Sequence, residues 1–490
     1  MCIRDSTYSN ILGKHSITAL AGYTAQYDYF AQTHAHARGY AEPYLEVIDA
    51  GPDDRNAFGS KSEHTLISYL GRFNYSYDDR YFTTVNFRRD YSSRFGPENK
   101  YGDFPSVSAG WKISSEDFFD VPLINNLMFR GAYGRAGNEN IGDYRYESFI
   151  NFYATYVLGV PGRITTGGIQ TNIIDPSIRW EERTTRSVGF DLAMLRNRLE
   201  VSAEYYYNEA DGILYDLPVP WSVGTVVNPT TNAASMTNKG FEFSVGFRKS
   251  EGELHYNVSA NISTLKNEVS KIGEADDPVL TYMSRTEVGG SMGQLYGWVF
   301  DGIFQTQEEV QEHALQTAGT RPGDVRFKDI NGDDVINDED RTYLGSAFPK
   351  LTGGLNAEVA YKNFDLSVFL QGIYGNKIFN GPYSVVSGLN HGNYSVESYE
   401  NYWTEDRPSN TWPRAIIGDP NGNNRASDRW IMDGSYLRVQ NIQLGYTFTQ
   451  SALGFVLGVE NLRLYASVQN LYTFTKYIGY DPDIICLLYT

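Results

Sequence analysis

The sequence predicts an all-β fold, a transmembrane antiparallel up-and-down β-barrel, from three observations. Apolar and polar residues alternate with a period of two from one end of the 490-residue chain to the other. Short and long connections between the alternating segments follow one another in strict turn. Aromatic residues gather beside the short connections.

The clearest strand signal runs from Thr65 to Tyr77, where Ile67, Tyr69, Phe73, Tyr75 and Tyr77 share one face and Ser68, Arg72, Asn74 and Ser76 the other. Similar segments fall at about 15–27, 80–91, 106–114, 126–136, 184–195 and 198–208. Others fall at about 239–248, 253–264, 350–361, 363–374, 436–448 and 462–474, which makes thirteen candidate strands. Several exceed the five or six residues usual in soluble sheets.

Asp78-Asp79, Arg196-Asn197, Lys249 to Gly252 and Lys362-Asn363 are the short connections. The long ones are 28–63, 92–105, 137–183, 209–238, 265–349 and 375–435. A meander with short turns at one rim and long loops at the other is the pattern of an outer-membrane barrel. A soluble β-sandwich also alternates, because one face of each strand is wet, but it does not sort loop lengths to two ends. Tyr75, Tyr77, Tyr81, Phe82, Phe118, Phe119, Tyr205, Tyr206, Tyr207, Tyr361 and Phe364 are expected to form a girdle at headgroup depth. Lipid should meet Ile, Val, Leu and aromatic side chains, with polar faces lining a wet lumen.

Thirteen is odd, and an open barrel would leave backbone unpaired in lipid, so at least one strand is expected beyond those counted. Met1–Ser6 lack the continuous apolar core of a secretory signal. Residues 1–6 and 486–490 break the neighbouring pattern and are expected to be non-native ends around a barrel fragment spanning 7–485. Both cysteines, Cys2 and Cys486, fall in those ends.

Composition excludes other classes. Lys and Arg number 41 against 59 Asp and Glu, a net charge of −18 that opposes binding to nucleic-acid phosphates. Tyr 38, Phe 26 and Gly 47 with only Cys 2 exclude a disulfide scaffold and a thiolate zinc module. No apolar run reaches the length of a transmembrane helix. The negative charge also disfavours anionic polymers as substrates.

Motifs for catalysis are lacking. His15, His34, His36, His64, His255, His313 and His391 are scattered, and the His34/His36 pair has no third ligand nearby. There is no G-x-S-x-G elbow, phosphate-binding loop or H-E-x-x-H, and the pairs Glu308-Glu309 and Asp53-Asp54 sit in long connections as solvated charge. The chain is therefore expected to be no enzyme and to need no cofactor.

One segment carries ligand spacing. Asp329, Asn331 and Asp333 stand at positions 1, 3 and 5 of a twelve-residue Ca²⁺ loop, the Val335 carbonyl at 7, an apolar Ile336 at 8 and Asp340 at 12. Asp334 replaces the usual turn glycine and Asp340 the bidentate glutamate. An Asx-rich turn without an ion gives the same pattern. Two long connections also hold clustered aromatics that could stack on sugar rings or pack on each other. Tyr144, Tyr146, Phe149, Phe152, Tyr153 and Tyr156 lie in one; Tyr374, Phe379, Tyr383, Tyr394, Tyr399, Tyr402 and Trp403 lie in the other.

Several stretches together carry a family likeness. They are Arg88-Arg89-Asp90-Tyr91-Ser92-Ser93-Arg94-Phe95-Gly96, Tyr101-Gly102-Asp103-Phe104-Pro105-Ser106 and Gly131-Ala132-Tyr133-Gly134. Asp301-Gly302-Ile303-Phe304, the acidic loop, Asp433-Gly434-Ser435-Tyr436-Leu437-Arg438 and Gly479-Tyr480-Asp481-Pro482 follow in order. In these the chain resembles the SusC/RagA family of TonB-linked outer-membrane transporters. The resemblance implies part of a 22-stranded barrel that imports oligosaccharides, sometimes oligopeptides, across the outer membrane of Bacteroidetes. It implies a SusD-like surface lipoprotein over the mouth and a TonB complex acting through an N-terminal plug outside this chain. A TonB-dependent siderophore or vitamin receptor shares the architecture, and a secreted β-rich glycan-binding or adhesive protein is the rival of another class.

Overall fold

The computed structural model describes residues 1–170, 172–216, 222, 228–388, 392–450 and 459–483, without the Tyr153 side chain. His391, Cys486 with the rest of the final segment, and part of the 209–238 connection lie outside the described residues.

Among the described residues fourteen strands follow one another in a single antiparallel order. They are β1 (Cys2–Leu12), β2 (His15–Arg38), β3 (Asp53–Tyr77), β4 (Tyr81–Ser92), β5 (Tyr101–Lys112), β6 (Ile124–Asn138) and β7 (Glu181–Met194). Then come β8 (Leu199–Asp216), β9 (Thr230–Lys249), β10 (Leu254–Thr264), β11 (Leu351–Tyr361), β12 (Phe364–Tyr374), β13 (Tyr436–Thr449) and β14 (Asn461–Thr475). Each pairs with its sequence neighbour, and Lys266–Ile272 adds an offshoot beside β9. Among the described residues no helix is long and apolar enough to cross a membrane, which says nothing of strands.

All thirteen expected segments are strands, and β1 is the additional one. Residues 2–6, expected to lie outside the pattern, pair in register with β2, from Cys2 opposite Ala25 to Leu12 opposite His15. Exposed side chains on both faces of β1 give it no period-2 signal. The same reason corrects the 28–63 connection. β2 and β3 continue as a hairpin through that stretch, from Tyr27 opposite Thr65 to Arg38 opposite Asp53. Residues 28–36 are mostly exposed, so backbone pairing persists there without an apolar face. The tight turn at 78–80 follows its chemistry: Asp78 and Asp79 take left-handed φ values of 52° and 51°, and the Arg80 N–H returns to the Tyr77 carbonyl (3.0 Å).

The chain forms two compact units, Met1–Glu116 with Arg130–Ser187 and Asn208–Ser235, and Asp117–Phe129 with Val188–Tyr207 and Met236–Thr490. In the first, registers place Phe73, Val85 and Val107 in one row, and Ile67, Tyr91 and Tyr101 in another on the same face. The opposite face carries Asn74, Thr84 and Ser108, then Arg72, Asn86 and Ser106. Thr84 donates to Asn74 (3.0 Å), Arg72 to Asn86 (2.7 Å) and Asn86 to Ser106 (3.0 Å). One greasy and one hydrogen-bonded polar face is the division a lipid-embedded barrel wall needs. In the second unit the row Ile262, Gly353, Gly372, Leu437 and Phe474 crosses five strands, with Ile262, Leu437 and Phe474 exposed.

The expected girdle divides. Tyr77 and Tyr81 lie close beside the 78–80 turn (6.4 Å between rings), and Phe364 packs edge-on against Tyr446 (4.6 Å). Tyr206 is not at that rim: it is well into β8, its hydroxyl donating to the Thr264 carbonyl at the far end of β10 (2.9 Å). Strand stagger carries residues that are near a turn in sequence away from it in space.

Candidate functional site in the long connections

The long connections fold around cores of their own. In the first unit Phe95, Phe104, Ile141, Ile178 and Trp180 pack together, joined by Leu66, Tyr146 and Leu214. Gly137 makes room: a Cβ there would stand 2.1 Å from Phe104 Cζ and 2.9 Å from Trp180 Cε3. Ion pairs tie the same segments. Arg94 donates to Asp143 (3.0 Å), and His64 lies 3.2 Å from both Asp143 and Asp28.

In the second unit, the described residues of 265–350, 375–388 and 392–435 build a layer of short strands and three small helices, α1 (Gln307–Glu312), α2 (Gly381–Ser387) and α3 (Val396–Asn401). Thr306, Asn380 and Ser395 cap them, each side chain accepting from a backbone N–H of the first turn. Ile303, Val325, Phe327, Ile336 and Trp403 form the core. Its polar centre is Asp324, fully buried, which accepts from Arg414 Nε (2.8 Å) and Nη2 (2.9 Å), Asn423 Nδ2 (3.0 Å) and the Arg321 N–H (2.9 Å).

Beside it runs a ladder of guanidinium groups and rings. Arg341 lies over Tyr296 (4.9 Å) and Trp298 (5.0 Å), Arg425 over Trp298 (5.1 Å) and Phe327 (4.6 Å), and Arg429 over Trp430 (4.7 Å). Burial pushes the Arg429 guanidinium down to about 10 and the Asp428 carboxyl up. These interactions hold a loop layer in one conformation; they offer no nucleophile or proton-transfer pair.

The candidate calcium residues lie at the edge of this layer. Asp329 accepts from the N–H groups of Gly332 (2.7 Å) and Asp334 (3.0 Å), and its carboxyl, held below the usual range chiefly by the Gly332 N–H, adjoins Asp340. Asp333 accepts from the Val335 N–H (2.9 Å), and Asn331 Nδ2 donates to Asp333 (3.1 Å). Asp340, buried, accepts from the N–H groups of Ile330 and Asn337, both at 2.8 Å. Asp334 takes the left-handed turn that glycine would (φ 62°), and Ile336 enters the core. Among the described residues no group of three or more His, Cys, Asp or Glu side chains converges as metal ligands do. The carboxylates are turned to backbone donors.

The aromatic candidates separate likewise. Tyr146 belongs to the Phe95–Trp180 core. Trp403 is buried, its Nε1 donating to Gln305 Oε1 (2.9 Å), and Tyr383 packs edge-on to Trp412 and Trp430. Phe149, Phe152, Tyr156, Tyr374 and Tyr399 remain exposed. His34 and His36 lie side by side on β2, 5.9 Å between rings, His34 stacked on Phe58.

The short family-like stretches turn out to be fastened to one another. Arg88 pairs with Asp90 (2.6 Å), and Arg89 meets Asp103 through two bonds of 2.6 Å. Arg438 pairs with Asp481, joining the stretch at 433–438 to that at 479–482. Asp324, Arg414, Asn421 and Asn423 carried no signal in the sequence, because their partners stand about ninety residues or more away.

The family profile described as TonB dependent receptor-like, beta-barrel matches residues 4–471. The chain belongs to that family. It is 31% identical to TonB-dependent receptor P3 of Formosa agariphila, covering 97% of this chain and 48% of that receptor. It is 30% identical to TonB-dependent receptor SusC of Bacteroides thetaiotaomicron, covering 92% of this chain and 45% of SusC. The fold superposes on the RagAB peptide transporter with a TM-score of 0.82 at 22% identity, over 98% of this chain and 52% of the other. This chain thus spans about half the length of the relatives it matches. It is β-barrel sequence of the TonB-dependent receptors, a family of outer-membrane proteins, and not an enzyme. The secreted adhesive reading falls with that assignment.

Proposed function

We propose that the chain is the barrel part of a TonB-dependent importer of oligosaccharides, or of oligopeptides, that works with a SusD-like lipoprotein. The observation that carries this is the loop layer of the second unit: long connections ordered around Asp324 and Trp403 give a lid protein a fixed surface to close on. The likeness to SusC supports the same reading. TonB would act through a plug outside this chain. Deletion of the gene in its native host should abolish growth on the oligosaccharide substrate while growth on the free monosaccharide persists. Loss of growth under iron limitation instead, with oligosaccharide use intact, would favour the siderophore receptor.

We propose further that the acidic loop takes Ca²⁺ weakly through Asp329, Asn331, Asp333, the Val335 carbonyl and Asp340. The left-handed Asp334 and the adjoining carboxyls of Asp329 and Asp340 support this. Titration calorimetry of the full receptor should show heat on Ca²⁺ addition that Asp329→Asn removes. No heat, or heat that the variant retains, rejects the ion.

A further inference from the structure

In the second unit the registers set an apolar row, Val258, Ala357, Val368, Ile442 and Val468, on one face of the sheet. The neighbouring row on the other face is polar: Asn257, Glu358, Ser367, Gln443 and Ser467. In an outer-membrane barrel the apolar face meets lipid and the polar face the lumen. A plug or a substrate lies inside such a wall, and further strands join it at its edges. The middle of the apolar face is therefore left to the bilayer.

On that face, at the end carrying the long connections, the wall has a hollow of 910 Å³. Gly353 and Gly372 lie opposite each other on β11 and β12 and form its floor. A Cβ on Gly353 would stand 3.6 Å from Ile262 Cγ1, and one on Gly372 3.4 Å from Leu437 Cδ1. Those two side chains therefore flank bare backbone. The pair Leu351–Tyr374 bounds the hollow above and Leu355–Leu370 below. Four residue steps separate the two pairs, about 13 Å of strand, which is no more than half of a hydrocarbon core about 30 Å thick. The hollow thus lies at the depth of the outer leaflet. We propose that it holds an acyl chain of one phosphate-bearing glycolipid, with Lys476 and Lys350 receiving the phosphate.

The rim above supplies the charge. Lys476 lines the top of the hollow and Lys350 directly precedes Leu351; both are exposed. Asp433 lies in the field of Lys476 and Lys377, and one of its oxygens accepts from the Ser435 N–H (3.0 Å) and hydroxyl (2.6 Å). Asp481 and Asp483 pair with Arg438, which the register places on the polar face. Among these groups four cations stand against three carboxylates, a local excess of positive charge in a chain of net charge −18. An apolar hollow alone takes any acyl chain. Ammonium groups at headgroup depth beside it select one whose head is a phosphate. The inference goes beyond the importer reading and rests on the barrel wall alone, so a receptor for another cargo would bind the same lipid.

The test uses the full-length receptor in detergent, with native mass spectrometry counting the lipid it retains. The probes are phosphorylated lipid A, the same lipid without its phosphates, and phosphatidylethanolamine. One phosphorylated lipid A per receptor should bind about tenfold more tightly than either of the others. Lys350→Gln together with Lys476→Gln should erase that ratio. Leu355→Trp, which fills the hollow, should weaken both forms of lipid A alike. Leu444→Trp, lower on the same face, should change neither. Equal retention of the three lipids overturns the inference, as does a ratio that survives loss of both lysines. Lipid A binding untouched by Leu355→Trp also overturns it. So does an Ile262→Cys receptor that cross-links to a second copy of itself, because that copy would then cover the hollow.

Discussion

Asp324→Ala is expected to unfold the loop layer of the second unit while the strands beneath stay paired. The carboxylate is fully buried and takes four donors, two of them on the Arg414 guanidinium. Removing it strands a cation, an amide and a backbone N–H with nothing to accept from them. Breaking a buried pair from one side costs about 3–5 kcal/mol, more than a layer of short strands and one-turn helices can absorb. Hydrogen exchange should therefore rise by orders of magnitude at Val325–Phe327, whose pairing with Phe300–Ile303 borders Asp324. The barrel should keep its heat-modifiable migration on gels. Asp324→Asn should fall between the two, since it keeps the shape and one acceptor but loses the charge. Unchanged exchange at 325–327 in the alanine variant would refute the role given to Asp324.

Gly240→Ala is expected to impair assembly of the sheet itself. A Cβ at that position in β9 would stand 1.9 Å from the Thr264 carbonyl oxygen and 2.7 Å from the Tyr206 hydroxyl. The obstacle is backbone, held by the β9–β10 register from Glu242 opposite Ser263 to Lys249 opposite Tyr256, so it cannot swing aside as a side chain would. Overpacking against a fixed wall costs about 3 kcal/mol or more. The variant should show a lower urea midpoint in a refolding titration and a reduced yield of folded receptor. Gly246→Ala in the same strand is the control, because nothing lies within 4 Å of its Cβ position, and it should be silent. Equal behaviour of the two variants would show that strand propensity, not the Thr264 contact, governs the position.

The candidate sites were less legible than the strands. Arg89 and Asp103 could be seen as part of a recurring stretch, yet that they pair with each other follows only from the β4–β5 register. For Trp403 and Tyr146 the sequence leaves stacking on a ligand and packing on each other open, and burial by distant segments makes them core. For the acidic loop the spacing allows either an ion cage or an Asx-rich turn, and the carboxylates accept from backbone N–H groups in an Asx geometry whose spacing ion binding shares.

Alternation of side chains is a property of adjacent residues, so the sequence alone determined that this chain forms long antiparallel strands with short turns and long loops in turn. The likeness of its ordered stretches to a family of barrels was present in the same letters. What those long loops become was decided in three dimensions. Asp324 and Arg414 are ninety residues apart, Gly240 meets Thr264 across a strand pair, and Phe95 packs with Trp180 from a remote segment. Packing of remote segments has no local period to betray it. Only the folded chain shows which remote groups satisfy one another.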